Sequence, residues 1–161
     1  APIAALEAAR RAAPGAVPAG HCLVLDLGAR RATASVLRVE GSGPPAIVAA
    51  TDALFVGGDA FDAEVVAWLA RDFRAAHGID LLEDPLAKTR LLEAARLARH
   101  ELSTAQATAI NLPFISADAS GPKHLGASLT RSEYERLVDG NAEAAVDEVC
   151  AAALPGAGVR A

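Results

Sequence analysis

Arg30 and Arg31 follow closely on Asp26 and Gly28 at the end of an apolar run, Cys22-Leu23-Val24-Leu25-Asp26-Leu27. Two adjacent guanidinium groups could bind an anion as planar forks. The plainer reading is that both are solvated or paired with acids at a turn, because surface arginines usually hold no specific ligand. A second candidate set is Gly57-Gly58-Asp59. A helix-opening turn that needs small residues accounts for it, and a phosphate or metal role for Asp59 requires the rest of a site. Asp62 is placed to act electrostatically on a first helical turn. His21, His77, His100 and His124 show no metal-ligand spacing, and Cys22 and Cys150 form no CxxC pair. Neither a P-loop nor a Gly-x-Ser-x-Gly elbow occurs.

The elements that must carry these residues are legible from apolar periodicity. Ala1–Ala13 reads as a short Ala-rich helix, broken by Pro14-Gly15-Ala16-Val17-Pro18-Ala19-Gly20. Cys22–Leu27 is consistent with a buried strand, Thr33–Glu40 with a second and Ala46–Thr51 with a third, giving a three-stranded meander. Asp59–Ala76 sets Val65, Val66, Leu69 and Phe73 on one side of a helix stopped at His77-Gly78. Trp68 lies beside that stripe as core or interface. Pro85–Ser103 aligns Leu91, Ala95, Ala98 and Leu102 behind a proline suited to a first turn. Ala109–Phe114 and Lys123–Leu129 form a strand pair across a long polar connection, Ser116–Pro122. A Thr-x-x-Glu capping box, Thr130 to Glu133, opens a last helix that ends near Leu154-Pro155-Gly156.

Composition bounds the function. The 161 residues are enough for a real core, and 52% hydrophobic with 22% charged residues argues against disorder and membrane classes. No run approaches the length of a bilayer span. A net charge of −5 argues against nucleic-acid binding, which needs a basic face. Only 4% of residues are aromatic, so an Ala-rich interior of modest stability is expected. The two cysteines read as buried thiols in a reduced compartment. The chain holds no Met, begins at Ala and shows no signal peptide, which fits a processed or trimmed segment.

Several stretches then fall into one register. Val24-Leu25-Asp26-Leu27-Gly28 resembles the second phosphate hairpin of the heat-shock protein 70 chaperones. Val56-Gly57-Gly58-Asp59-Ala60-Phe61-Asp62 resembles that family's Leu-Gly-Gly-Glu-Asp-Phe-Asp segment. Asn111-Leu112-Pro113-Phe114-Ile115 and Ala117-Asp118-Ala119-Ser120-Gly121-Pro122-Lys123-His124-Leu125 are similar to its bacterial and mitochondrial branch. His77-Gly78-Ile79-Asp80-Leu81, Asp84-Pro85-Leu86, Glu101-Leu102-Ser103 and Pro2-Ile3-Ala4-Ala5 match as well, so the register runs from about Ala1 to Val159. The resemblance implies an α/β (α+β) chain, part of the second lobe of an actin-like ATPase fold. It implies residues 1–56 as the start of the lobe's base, 57–129 as its upper subdomain, and 130–161 as a helix returning to the base. The first phosphate hairpin, the catalytic lysine, the late adenosine loop and the peptide-binding domain fall outside this stretch, and a piece lacking one wall of the cleft is not expected to hold ATP by itself.

The resemblance also implies where a nucleotide would sit. Asp26, Gly28, Gly57 and Gly58 are remnants of the phosphate hairpin, Asp26 matching a carboxylate that helps hold magnesium and water. Arg99 and Ser103 are remnants of the adenosine face. The family's Asp-Leu-Gly-Gly-Gly-Thr-Phe-Asp stands here as Asp26-Leu27-Gly28-Ala29-Arg30-Arg31-Ala32-Thr33. Two glycines, the Thr and the second Asp are gone, and glycine matters there because backbone N–H groups must approach phosphate oxygens. Arg96 replaces the Glu that would accept ribose hydroxyls, which reverses charge and hydrogen-bonding role; a solvated helix face is then the expectation for that set. No catalytic residue, no metal site and no bound cofactor are expected of this chain, ATP and Mg entering by resemblance alone. The expectation is a pseudoenzyme with protein partners, in a large multi-subunit assembly or with a nucleotide-exchange factor on the upper subdomain, in a mitochondrial matrix or bacterial cytoplasm. The alternative is a segment of a working ATP-dependent folding chaperone.

Overall fold

The computed structural model describes residues 2–158 apart from 14, 16, 42, 55 and 56. Pro14 and Ala16 of the expected break, Val56, and the ends of the matched register, Ala1 and Val159, therefore lie outside the described residues. The elements run α1 (Pro2–Ala12), β1 (Gly20–Leu27), β2 (Arg31–Val39), β3 (Ala46–Leu54), α2 (Gly58–His77), α3 (Pro85–Leu102), β4 (Ala107–Asp118), β5 (Gly121–Thr130) and α4 (Arg131–Ala153). This is the expected order. The chain divides into two units: residues 1–57 with 141–161, and residues 58–140.

In the first unit β1, β2 and β3 form an antiparallel sheet in that order. Being central, β2 is covered on both faces. Ala32, Ala34 and Val36 pack with Val149 and Ala153 of α4, while Leu37 and Val39 pack with Leu6 of α1. The alanines matter here, because a side chain of one carbon lets a helix lie close on the sheet. The expectation that Cys22–Leu27 is a buried strand is not met. Leu23, Leu25 and Leu27 are each about two-fifths exposed, at 41%, 39% and 43%. The reason is position: β1 is an edge strand, and an apolar run reads alike whether its strand is central or at an edge. Cys22 and Cys150 are free and only half-buried, another departure from expectation.

The second unit is built around the two helical stripes. Val65, Val66, Leu69 and Phe73 of α2 meet Leu91, Ala95, Ala98 and Leu102 of α3, with Ile110, Leu125 and Leu129 of the β4–β5 hairpin closing the core. Gly78 ends α2 in a left-handed conformation (φ 71°), its N–H returning to the Arg74 carbonyl at 2.8 Å. Asp84 then caps α3 at the Leu86 N–H (2.8 Å), with Pro85 in the first turn.

The hairpin corrects one expected boundary. No long polar connection exists, since Ser116, Ala117 and Asp118 pair with Lys123, Pro122 and Gly121. Asp118 makes this possible by accepting from the Ser120 N–H (2.7 Å) and hydroxyl (2.6 Å), which hold its carboxyl below the usual carboxylate range.

The capping box at the start of α4 is complete. The Thr130 N–H donates to the Glu133 carboxylate at 2.9 Å, and the Glu133 N–H donates to the Thr130 hydroxyl at 3.2 Å. Thr130→Ala is expected to cost about 1 kcal/mol in urea unfolding. The hydrogen bonds from Thr130 hold the Glu133 carboxyl below its ordinary pKa. A depressed carboxylate stabilises the fold above its unfolded pKa and loses that contribution as pH falls through its folded value. The penalty of Thr130→Ala therefore shrinks in acid, and a penalty that is flat across the carboxylate range would show the box to be idle.

Candidate functional site

In the first unit Asp26 lies near the end of β1, exposed and directly opposite Thr33. The Gly28 N–H donates to the Arg31 carbonyl at 2.9 Å, so the turn between β1 and β2 closes on itself. Arg30 is exposed at its tip, and Arg31 pairs with Asp52 of β3 at 2.7 Å, both well exposed. That pair bears out the plain reading of Arg31. Gly57 (φ 134°) sits against the same turn: a Cβ there would lie 2.1 Å from the Gly28 carbonyl oxygen and 3.0 Å from that of Ala29. Asp26, Gly28 and Gly57 are thus brought together in one unit, with the glycines packed backbone on backbone.

The second unit assembles a charge cluster in which Arg96 and Ser103 are exposed, as expected of a solvated face, while Arg99 is drawn inward. Asp62, at 2% exposure, lies in the second turn of α2 and receives the Arg99 guanidinium through two bonds, Nε to Oδ1 at 2.7 Å and Nη2 to Oδ2 at 3.2 Å. Arg96 adds a contact to Asp62 at 3.7 Å and reaches Asp59 at 3.4 Å. The Asp62 hydrogen bond and charge raise the Arg99 pKa further above its already high ordinary value. Arg99 also fills the space beside Gly58, where a Cβ would meet Nη2 at 3.1 Å. Ser103 caps α3, and its hydroxyl donates to the His100 carbonyl at 2.6 Å. Arg99 and Ser103 share one wall of a shallow cleft of about 380 Å³ with His100, Arg131 and Tyr134. Burial raises the Tyr134 phenol pKa.

Asp62 was missed as a structural carboxylate. Its signal is available in hindsight: Asp62 and Arg99 stand at matching distances on either side of the short connection between α2 and α3, where antiparallel helices place facing residues. Among the described residues no three His, Cys, Asp or Glu side chains meet as a metal site, and no helix is long and apolar enough to cross a membrane.

The groups that could meet a nucleotide in the first unit are therefore one exposed carboxylate and a turn whose Gly28 N–H is already bonded. In the second they are a guanidinium held by a buried acid and a hydroxyl turned to its own helix. A family model described as Hsp70 protein matches residues 18–161, covering both candidate sets. The mixed α/β architecture with antiparallel sheets agrees with a fragment of that family's actin-like nucleotide-binding fold, and the chain belongs to the Hsp70 family.

Proposed function

We propose that this chain is the base and upper subdomain of the second lobe of a chaperone-type nucleotide-binding domain, of the bacterial and mitochondrial branch, whose nucleotide contacts have degenerated. On this reading residues 1–56 open the base, 57–129 form the upper subdomain and 130–161 return to the base. Its role is then non-catalytic, as a protein-binding or structural subunit of a larger assembly. The observation that carries the reading is the state of Arg99: its guanidinium is committed to Asp62 through two hydrogen bonds, and neighbouring Arg96 offers only donors. The phosphate side points the same way. Thr33 faces Asp26 where a second carboxylate would supply charge for magnesium, and Arg30 occupies a turn that phosphate would have to approach. These residues do not fit Mg-ATP, and no hydrolytic step is routed through them.

The test is ATP turnover by the full-length native protein, with binding followed by displacement of a fluorescent ATP analogue. No turnover above the uncatalysed background is expected, and Asp26→Asn is expected to change nothing. Turnover that Asp26→Asn abolishes would establish the competing reading, a working ATP-dependent chaperone. Retention of glycine at 28, 57 and 58 is the feature that favours that competitor.

A further inference from the structure

Between Leu112 and Ser116 the β4–β5 ladder breaks: Leu112 pairs with Leu125 and Ser116 with Lys123, leaving Pro113, Phe114 and Ile115 opposite the single residue His124. Ile115 turns inward at 3% exposure, whereas Phe114 is 67% exposed. Phe114 has φ 52°, a left-handed conformation that is unfavourable for a residue with a Cβ. Something must hold it there. Arg90 of α3 holds the carbonyl side, donating to the Pro113 oxygen at 2.7 Å and the Phe114 oxygen at 3.0 Å. His124 holds the amide side, its Nδ1 accepting from the Phe114 N–H at 3.1 Å, with the two rings 4.7 Å apart.

We propose that this bulge is a pH-operated clip, closed by neutral His124 and released when His124 takes a proton. The chemistry follows from one atom. Nδ1 accepts only while it carries no hydrogen, so the neutral ring must hold its proton on Nε2. Protonation puts a hydrogen on Nδ1, turns it toward the Phe114 N–H, and leaves two donors facing each other. The strained Phe114 backbone then loses one of its two anchors, while Arg90, which does not titrate in this range, keeps the other.

The charged surroundings of His124 come from three directions. Asp72 and His77 of α2 line a cleft with it. Arg90 acts from the α3 side of the bulge. Neighbouring Lys123 is paired with Asp118 at 3.3 Å, so its charge is largely offset. Released, Phe114 moves away from His124, and the apolar surface on this side of the hairpin changes shape in acid.

The test is amide hydrogen exchange in the full-length protein labelled with 15N-phenylalanine, with Phe73 in α2 as internal reference. Between a pH at which its own ring-proton shifts show His124 neutral and one at which they show it protonated, the Phe114 protection factor is expected to fall about tenfold. Phe73 should not follow. His124→Asn keeps an acceptor near the Nδ1 position without a titrating proton, so its Phe114 protection should stay flat. Constant protection in the wild type while the His124 ring titrates would overturn the proposal. So would an equal fall in His124→Asn.

Discussion

Asp62→Ala is expected to lower the stability of the helical unit by about 3–5 kcal/mol. The size follows from what is left behind. Arg99 is only 24% exposed along its side chain and would keep its charge without the carboxylate that now takes two of its N–H groups. Arg96 cannot compensate, being itself a cation. Asp59→Ala is the internal control. Its contact with Arg96 spans 3.4 Å between side chains that are 41% and 61% exposed, and such surface pairs contribute about 0–1 kcal/mol. Urea unfolding of the two variants should therefore separate them several-fold. Equal losses would mean that Asp62 holds no more than a surface pair does. The double variant Asp62→Leu with Arg99→Met gives the complementary result, recovering most of the loss, because replacing both partners removes the stranded charge.

This cluster shows what the sequence could and could not disclose. The stripes Val65–Phe73 and Leu91–Leu102 were legible because helical period and burial coincide in them, and every named stripe residue is buried. The capping box was legible because both partners lie within four residues of chain. Asp62 was not, since its partner stands on another helix and periodicity carries no information about which charge faces which. The solvated face expected there holds for Arg96 and Ser103 and fails at Arg99 for that reason. The meander put β1 at an edge, as found, but its expected burial failed for a related one: Leu23, Leu25 and Leu27 carry the same apolar signal whether or not another element covers them. The bulge at Phe114 was hidden differently. Ala109–Phe114 reads as an unbroken strand, and a left-handed phenylalanine depends on Arg90 and His124, which lie 24 and 10 residues away.

Gly57→Ala is expected to cost about 3–5 kcal/mol, and Gly58→Ala next to it about 1 kcal/mol or less. At Gly57 two penalties coincide. A φ of 134° is one that residues with a Cβ rarely adopt, and the added carbon would stand 2.1 Å from the Gly28 carbonyl oxygen. That neighbour is backbone, so it cannot rotate away. Either the Gly28–Arg31 turn opens and its 2.9 Å hydrogen bond is lost, or the chain leading to α2 is displaced. At Gly58 the first atom met is the tip of Arg99 at 3.1 Å, a side chain able to give by a few tenths of an ångström, and alanine gains helix propensity there. Thermal or urea unfolding of the two variants decides the matter, and a Gly57→Ala loss below about 1 kcal/mol would mean that the close approach is not a constraint on the fold. The consequence reaches the functional question. If packing against Gly28 alone requires glycine at 57, then the survival of Gly57 follows from the fold and needs no phosphate to explain it. Retention of Gly57 is then a matter of backbone contact and not of an active nucleotide site.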